Sequence, residues 1–438
     1  MRKILALATA LASLTLSAAP AYAQDAHYLP LLTYRTGPFG ASGIPIANGM
    51  RDYLEMINQR DGGIGGVKIL IEECETGYDT KKGVECYESL RSKKPLIINP
   101  YSTGIQLQII ARMPQDKVTM LAMAYGLSAA ADGKVFPWVF NPPLTYWDAA
   151  SVMIQYMAEK EGGIDKLKGK KLGYIHLDAP YGKEPIPFLE AMAKKFGFDL
   201  ALYPVPPAQM QNQTSIWLNI RRDKPDYIYN QGWGAMNPTM IREAIKNSFP
   251  MDRLVGNFWA GGDDDGRAGG ADAKGYKTIS FHAAGANYPV MQDIIKHVVD
   301  KGLSKISDKE KVGENLYNRG VYNSMLMVEA IRNAQRISGK KVVDGADVRR
   351  GMESLNLSEA RLKELGMDGF AGPVKVTCAD HSGAHKVFLL EWDGAKYVRG
   401  SNWLTPQTDA VRPLIDAAAK EYATSNSGWP TRTEPCQN

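Results

Sequence analysis

The chain has 438 residues, 44% hydrophobic and 23% charged. That is enough apolar material for two cores of ordinary domain size, and it argues against both long disorder and a multi-pass membrane protein. The formal net charge is +5, and no Lys/Arg block runs long enough to follow a phosphate backbone, which argues against nucleic acid as a partner.

In chain order, residues 1–23 come first and read as a secretory signal peptide. Arg2 and Lys3 precede an apolar stretch from Ile4 to about Ser17, and Ala21-Tyr22-Ala23 supplies the small-x-small cleavage site, so the mature protein is expected to begin at Gln24. The apolar stretch is shorter than the roughly 20 residues a bilayer core requires. With no cysteine at the cleavage site and no later long apolar run, the expected product is free in the periplasm.

After the signal, short β-branched runs alternate with longer amphipathic segments, the pattern of βαβ units in a parallel sheet. The first series has strands at 67–74, 95–99 and 118–124, with helices at about 43–60, 80–91 and 104–113. Asp61-Gly62-Gly63-Ile64-Gly65-Gly66 lies after a helix and before a strand, the reverse of a phosphate cradle, and reads as a turn. Past Asn141-Pro142-Pro143 a similar half follows. Its helices are at 146–159, 184–196, 214–222 and 237–247, and its strands at 171–178, 200–205, 227–231 and 254–259. Beyond Tyr276 come a strand at 278–283, helices at 290–301, 315–338 and 345–355, and short strands at 374–378, 387–392 and 396–398. Asp393-Gly394 supplies the hairpin turn, and the polar tail from Thr405 is expected to wrap a surface.

Cys74, Cys86, Cys378 and Cys436 are an even number in an exported chain, which allows three disulfide pairings. Cys74 ends a predicted strand and Cys86 lies on the next helix, which favours Cys74 with Cys86 and Cys378 with Cys436. No C-x-x-C or neighbouring histidine supports zinc.

The chemistry-bearing motifs of an enzyme are missing: G-x-S-x-G, H-E-x-x-H and G-x-x-x-x-G-K-[ST] do not occur. His381 and His385 flank Gly383 and read as loop residues with solvent or backbone partners. Asp263-Asp264-Asp265-Gly266 lacks the spacing of a calcium loop and reads as a solvated loop. The sequence thus points to no catalytic residue, metal or cofactor.

A binding reading rests on the C-terminal ends of the strands, where open α/β sheets place ligands. After the strand ending at Asn99 stands Pro100-Tyr101-Ser102-Thr103-Gly104, where Ser102 and Thr103 can cap the next helix or turn its free N–H groups to a carboxylate. Tyr125-Gly126-Leu127-Ser128, Ala179-Pro180-Tyr181-Gly182, Gln231-Gly232-Trp233-Gly234 and Asn257-Phe258-Trp259-Ala260-Gly261 follow other strands. A single Tyr or Trp is more often core than ligand contact. These strand ends each carry an aromatic or a glycine, and that repetition suits a flat apolar ligand held by a few directed hydrogen bonds.

On these stretches, together with Thr36-Gly37-Pro38-Phe39-Gly40 near the start and Gly372-Pro373-Val374 near the end, the chain resembles the type I periplasmic solute-binding proteins. The branch is the leucine/isoleucine/valine-binding one, which feeds branched-chain amino acid ABC importers. The resemblance implies an α/β fold of two doubly wound lobes joined by a three-segment hinge, with crossings near 141–145, 276–282 and 369–374. The N-terminal lobe would comprise 24–142 plus 281–369, and the C-terminal lobe with its tail 143–280 plus 370–438. By position, Ser102 and Thr103 match the residues that hold the ligand carboxylate and Ala122 and Ala124 the neighbouring backbone contacts. Tyr181 and Trp233 match ring positions on the second lobe and Phe39 an aromatic at the pocket wall. Tyr101, Tyr125, Asn257 and Trp259 complete the candidate set.

The resemblance further implies a membrane permease as partner. Amino acid binding members place an acid in the loop after the strand at 254–259, and this chain has Asn257-Phe258-Trp259-Ala260-Gly261 there. The reading adopted is an aromatic or branched aliphatic carboxylate without an α-amino group, with an amino acid as the alternative ligand. A sensor module for a membrane signalling partner and a secreted α/β enzyme are the alternative functions.

Overall fold

The computed structural model describes residues 26–383 and 386–436. The expected signal segment and His385 lie outside the described residues. The first sheet begins with β1 (Ala26–Thr33), which pairs in parallel with β2 (Lys68–Glu75). Beside β1 run β3 (Ile97–Ile98), β4 (Thr119–Leu121) and β5 (Val139–Phe140), all parallel, with the Leu96 N–H donating to the Tyr28 carbonyl. β1 is missing from the strands expected from sequence. Every one of its residues after Ala26 is buried, so its apolar residues do not alternate with polar ones, as happens when both faces of a parallel strand are covered.

The second sheet holds β6 (Lys171–Leu177), β7 (Asp199–Val205), β8 (Tyr227–Gln231), β9 (Leu254–Gly256) and β10 (Lys277–Ser280). After a short pair formed by β11 (Asn356–Leu357) and β12 (Val374–Lys375), the chain returns to it with β13 (Phe388–Trp392) and β14 (Tyr397–Arg399). The order is β7-β6-β8-β9-β10-β13-β14, parallel through β10 and antiparallel in the closing hairpin.

Helices cover both sheets. On the first lobe, Gly40–Arg60 and Asn315–Ser338 lie against each other. Gly49 and Gly320 permit the approach: a Cβ on Gly49 would stand 2.0 Å from the Tyr317 carbonyl oxygen, and one on Gly320 2.1 Å from that of Ile46. The backbones therefore touch where any other residue would hold them apart.

The first passage between lobes runs through Asn141–Thr145, from β5 to the helix Tyr146–Glu161. Segment 370–383, expected with the second lobe, lies instead with the first. There β12 pairs with β11, the His381 N–H donates to the Ala131 carbonyl and His381 Nδ1 sits 2.6 Å from the Val139 carbonyl oxygen. The chain thus rejoins the second sheet after Gly383 and not near 369–374, because this stretch finds its backbone partners on the first lobe.

The tail contains an 18-residue helix, Thr408–Ser425, unread in the sequence because Pro413 interrupts an otherwise helical pattern. It bridges the lobes. At its start the Gln407 N–H donates to Ser151 Oγ and Gln155 Nε2 to the Thr405 carbonyl on the second lobe; beyond its end Trp429 Nε1 donates to the Val135 carbonyl on the first. Disulfides join Cys74 to Cys86 and Cys378 to Cys436.

Candidate functional site

The C-terminal ends of the two sheets face each other across a cleft, and side chains from the strand-end loops meet there. Tyr34 follows β1, Tyr78 follows β2, Tyr101, Ser102 and Thr103 follow β3, and Tyr125 lies beyond β4. From the other lobe come Tyr181 after β6, Trp233 after β8 and Trp259 after β9, while Tyr146 opens its helix just past the first crossing. These ten residues line one cavity.

The rings form a cage. Tyr34 lies 5.0 Å from Tyr78, Tyr101 5.9 Å from Trp259, Trp233 5.6 Å from Trp259 and Tyr146 5.6 Å from Tyr181, centroid to centroid, mostly edge to face. Tyr78, Tyr101 and Ala124 have φ of 62°, 56° and 55°, the left-handed region that non-glycine residues seldom occupy. Three such residues around one cleft mark backbone strain held by the surrounding structure, a habit of binding sites.

The lobes touch around this cavity. The Ala235 N–H donates to the Pro38 carbonyl, and the Ser128 N–H donates to Glu184 Oε1 at 2.8 Å. The Asn315 N–H donates to Asp263 Oδ2 at 2.7 Å, and Trp259 Nε1 to the Ala124 carbonyl at 3.3 Å.

The polar side-chain atoms in the cage are hydroxyls and the indole N–H groups of Trp233 and Trp259. Burial raises every tyrosine hydroxyl there above its ordinary pKa, so all remain protonated donors. Ser102 caps the helix Thr103–Ile109, its side chain accepting from the Ile105 N–H at 3.4 Å. The Tyr101 hydroxyl, Thr103 Oγ1 and Trp233 Nε1 are buried with no hydrogen-bond partner in the protein. Tyr146 approaches Thr103 and Tyr34 approaches Trp233, without completing hydrogen-bond geometry. Unsatisfied donors facing a cavity are what a polar ligand would satisfy.

Of the residues expected from sequence, Tyr101, Ser102, Thr103, Tyr125, Tyr181, Trp233 and Trp259 line the cavity. Four do not. Phe39 packs against the back of Tyr78, 4.4 Å between centroids. The N–H groups of Ala122 and Ala124 are spent on the Phe140 and Pro142 carbonyls, and only the Ala124 carbonyl faces the other lobe. Asn257 works from beneath, its Oδ1 accepting from the N–H groups of Trp259 and Ala260 and from the Tyr181 hydroxyl; it fixes the loop that carries Trp259. Tyr34, Tyr78 and Tyr146 were missed. Tyr78 follows a strand as the others do and was open to the same reasoning, whereas Tyr34 follows β1, the strand unread in the sequence, and Tyr146 reads as an ordinary helix residue.

The acidic run is not a solvated loop. Asp263 and Asp265 are 8% and 5% exposed and belong to a short helix, Asp263–Arg267. Burial raises both to about 7, and Asp265 accepts from the Gly262 N–H and from Asn237. Neither lines the cavity, and no residue that does carries a charge. Among the described residues no cluster suits a metal ion, and no helix is long and apolar enough to cross a membrane.

The sequence profile of the family described as periplasmic binding protein matches residues 28–396. The chain belongs to the type I periplasmic binding proteins. A solved structure described as an ABC transporter permease from the Pseudomonas fluorescens group is 36% identical, covering 93% of this chain and 99% of that one, with a TM-score of 0.85. A branched-chain amino acid ABC transporter from Thermus thermophilus with bound valine shares the fold at 19% identity, covering 89% and 99% of the two chains, with a TM-score of 0.74. A Leu/Ile/Val-binding protein of Rhizobium johnstonii is 22% identical over 69% of this chain and 87% of its own length.

As a periplasmic binding protein the chain is the solute-binding component of an ABC importer and not an enzyme, and its partner is a membrane permease. The hinge between the two lobes explains how the cleft works. A solute held between the lobes touches both only when they are shut, so its binding free energy favours the closed form.

Proposed function

We propose that this binding protein captures a small carboxylate with an aromatic or branched aliphatic body and no α-amino group. The observation that supports it is the composition of the cage: eight rings, two aliphatic hydroxyls and no carboxylate among the residues that line it. An amino acid would bury its ammonium there without a counter-charge, at a cost of several kcal/mol. The nearby acids Asp263 and Asp265 are committed to Asn315, Gly262 and Asn237.

The hydroxyls suit the other end of the molecule. Thr103 Oγ1 and the Tyr101 hydroxyl are free to donate to a carboxylate, each such bond contributing about 1.5–3 kcal/mol. Together with one buried ring they suffice for micromolar affinity, about −8 kcal/mol.

A quaternary ammonium is the other ligand that aromatic cages take. Against it stands Arg319, whose guanidinium carbon lies 5.3 Å from the centroid of Trp259. A thermal-shift and calorimetric panel of benzoate, isovalerate, leucine, valine and choline tests the reading. Stabilisation by the amine-free acids is the expected result; a response confined to leucine and valine, or to choline, overturns it.

A further inference from the structure

Arg319 lies on the helix Asn315–Ser338 and is fully buried. Its surroundings are neutral. Nε donates to His282 Nε2 at 2.5 Å, Nη1 to the Phe258 carbonyl and Nη2 to Ser280 Oγ at 3.5 Å. Its guanidinium sits over the rings of Phe281 at 4.3 Å, Trp259 at 5.3 Å and Phe258 at 5.9 Å. His282 cannot share the charge, since burial and Arg319 itself hold its pKa well below the ordinary value. Among the described residues no carboxylate forms an ion pair with Arg319.

A buried cation without an anion is costly, and proteins rarely keep one without a use. The space beyond Trp259 is the cavity, where the Tyr101 hydroxyl stands unpaired and Tyr101 packs edge to face on Trp259.

We infer that Arg319 is the fixed positive charge that selects an anionic solute, acting through the Trp259 and Tyr101 rings without touching it. The inference rests on the carboxylate reading above, but needs only the acid group and not the lack of an amine. At an effective dielectric of about 20, a unit charge within about 10 Å of a monoanion changes its affinity by about tenfold or more. Arg319 is therefore a positioning charge and not a ligand contact. A purely structural role also exists, since its hydrogen bonds join the Phe258 loop to Ser280 and His282, but that role would not distinguish an acid from its amide.

The test compares acids with their uncharged carboxamides: benzoate with benzamide, isovalerate with isovaleramide, leucine with leucinamide. Each is titrated into the wild type, Arg319→Met and Arg319→Lys. The expected result is that Arg319→Met weakens whichever acid binds by about tenfold or more, leaves its amide within about threefold, and that Arg319→Lys restores most of the acid affinity. Equal losses for acid and amide, or no loss for the acid, overturn the inference. If Arg319→Met does not fold, the wild type decides by itself, because binding an amide as tightly as its acid would show that no charge is being read. Leucine as the sole binder would sink the amine-free reading and leave the Arg319 comparison standing, whereas a wild type that binds none of the acids counts against both.

Discussion

Trp259 Nε1 on the second lobe donates to the carbonyl of Ala124 on the first, at 3.3 Å. Ala124 is held at φ 55° to present that carbonyl, and Asn257 Oδ1 holds the Trp259 backbone in place. The bond exists only when the lobes are shut, so it belongs to the closed form. Trp259→Phe keeps a ring and removes the bond. The expected loss is about 1 kcal/mol, roughly fivefold in affinity, with unchanged thermal stability of the free protein. Titration calorimetry of the best acid in the panel checks it, and an unaltered affinity would show that this contact does not contribute to closure.

Thr103 and Ser102 separate binding from folding. Thr103 is 2% exposed and its hydroxyl has no partner in the protein. Thr103→Val, nearly the same shape, should leave the melting temperature unchanged or slightly higher and cost about 1.5–3 kcal/mol of ligand affinity. Ser102→Ala removes a helix cap and should also lower stability, by about 1 kcal/mol. Equal affinity losses with no stability difference between the two variants would contradict the assignment of the cap.

Glu184 predicts a pH dependence. Its Oε1 accepts the Ser128 N–H from the other lobe, and desolvation raises its pKa to about 8, against an ordinary 4.5, with a smaller contribution from Asp148 and an opposing one from Ser128. Opening withdraws Ser128 and lets water reach the carboxylate, so closure takes up a proton. A group whose pKa is raised in the closed form favours closure most fully below its open-form value and loses that contribution as pH rises through about 8. Affinity for an acid ligand should therefore weaken between pH 6 and 9. Glu184→Gln should flatten the profile without abolishing it, because Asp263, raised to about 7 at its contact with Asn315, acts in the same direction. Calorimetry across that range is the measurement, and a Glu184→Gln profile parallel to the wild type would refute the assignment.

The Cys378–Cys436 disulfide closes a loop with a sequence separation of 58 and pins the tail to the first lobe, where Arg349 pairs with Glu434 and Trp429 donates to Val135. In the chain-entropy account its loss costs about 4 kcal/mol. Cys436→Ser should lower the denaturant midpoint accordingly and expose the tail beyond Ser425 to protease. Ligand affinity should change far less than stability, since none of the cavity residues lies in the tail.

Much of the architecture was legible in the residues. The helix Thr80–Arg91, the helix Asn315–Ser338 and the strand Tyr227–Gln231 fall where the pattern of apolar residues put them, because periodicity and capping are local properties of the chain. So is the placing of aromatic loops after strands, which brought seven of the cavity residues into view.

What only the tertiary structure decided is which of these groups meet and what each finds when it arrives. Ala122 and Ala124 lost their N–H groups to the Phe140 and Pro142 carbonyls, Asp263 left the solvent for the seam between the lobes and Asp265 for bonds within the second lobe, and Tyr146 turned from a helix residue into part of the cage. Arg319, polar in sequence and fully buried in the fold, shows why. Burial and charge compensation depend on residues far apart along the chain, and no local pattern records them.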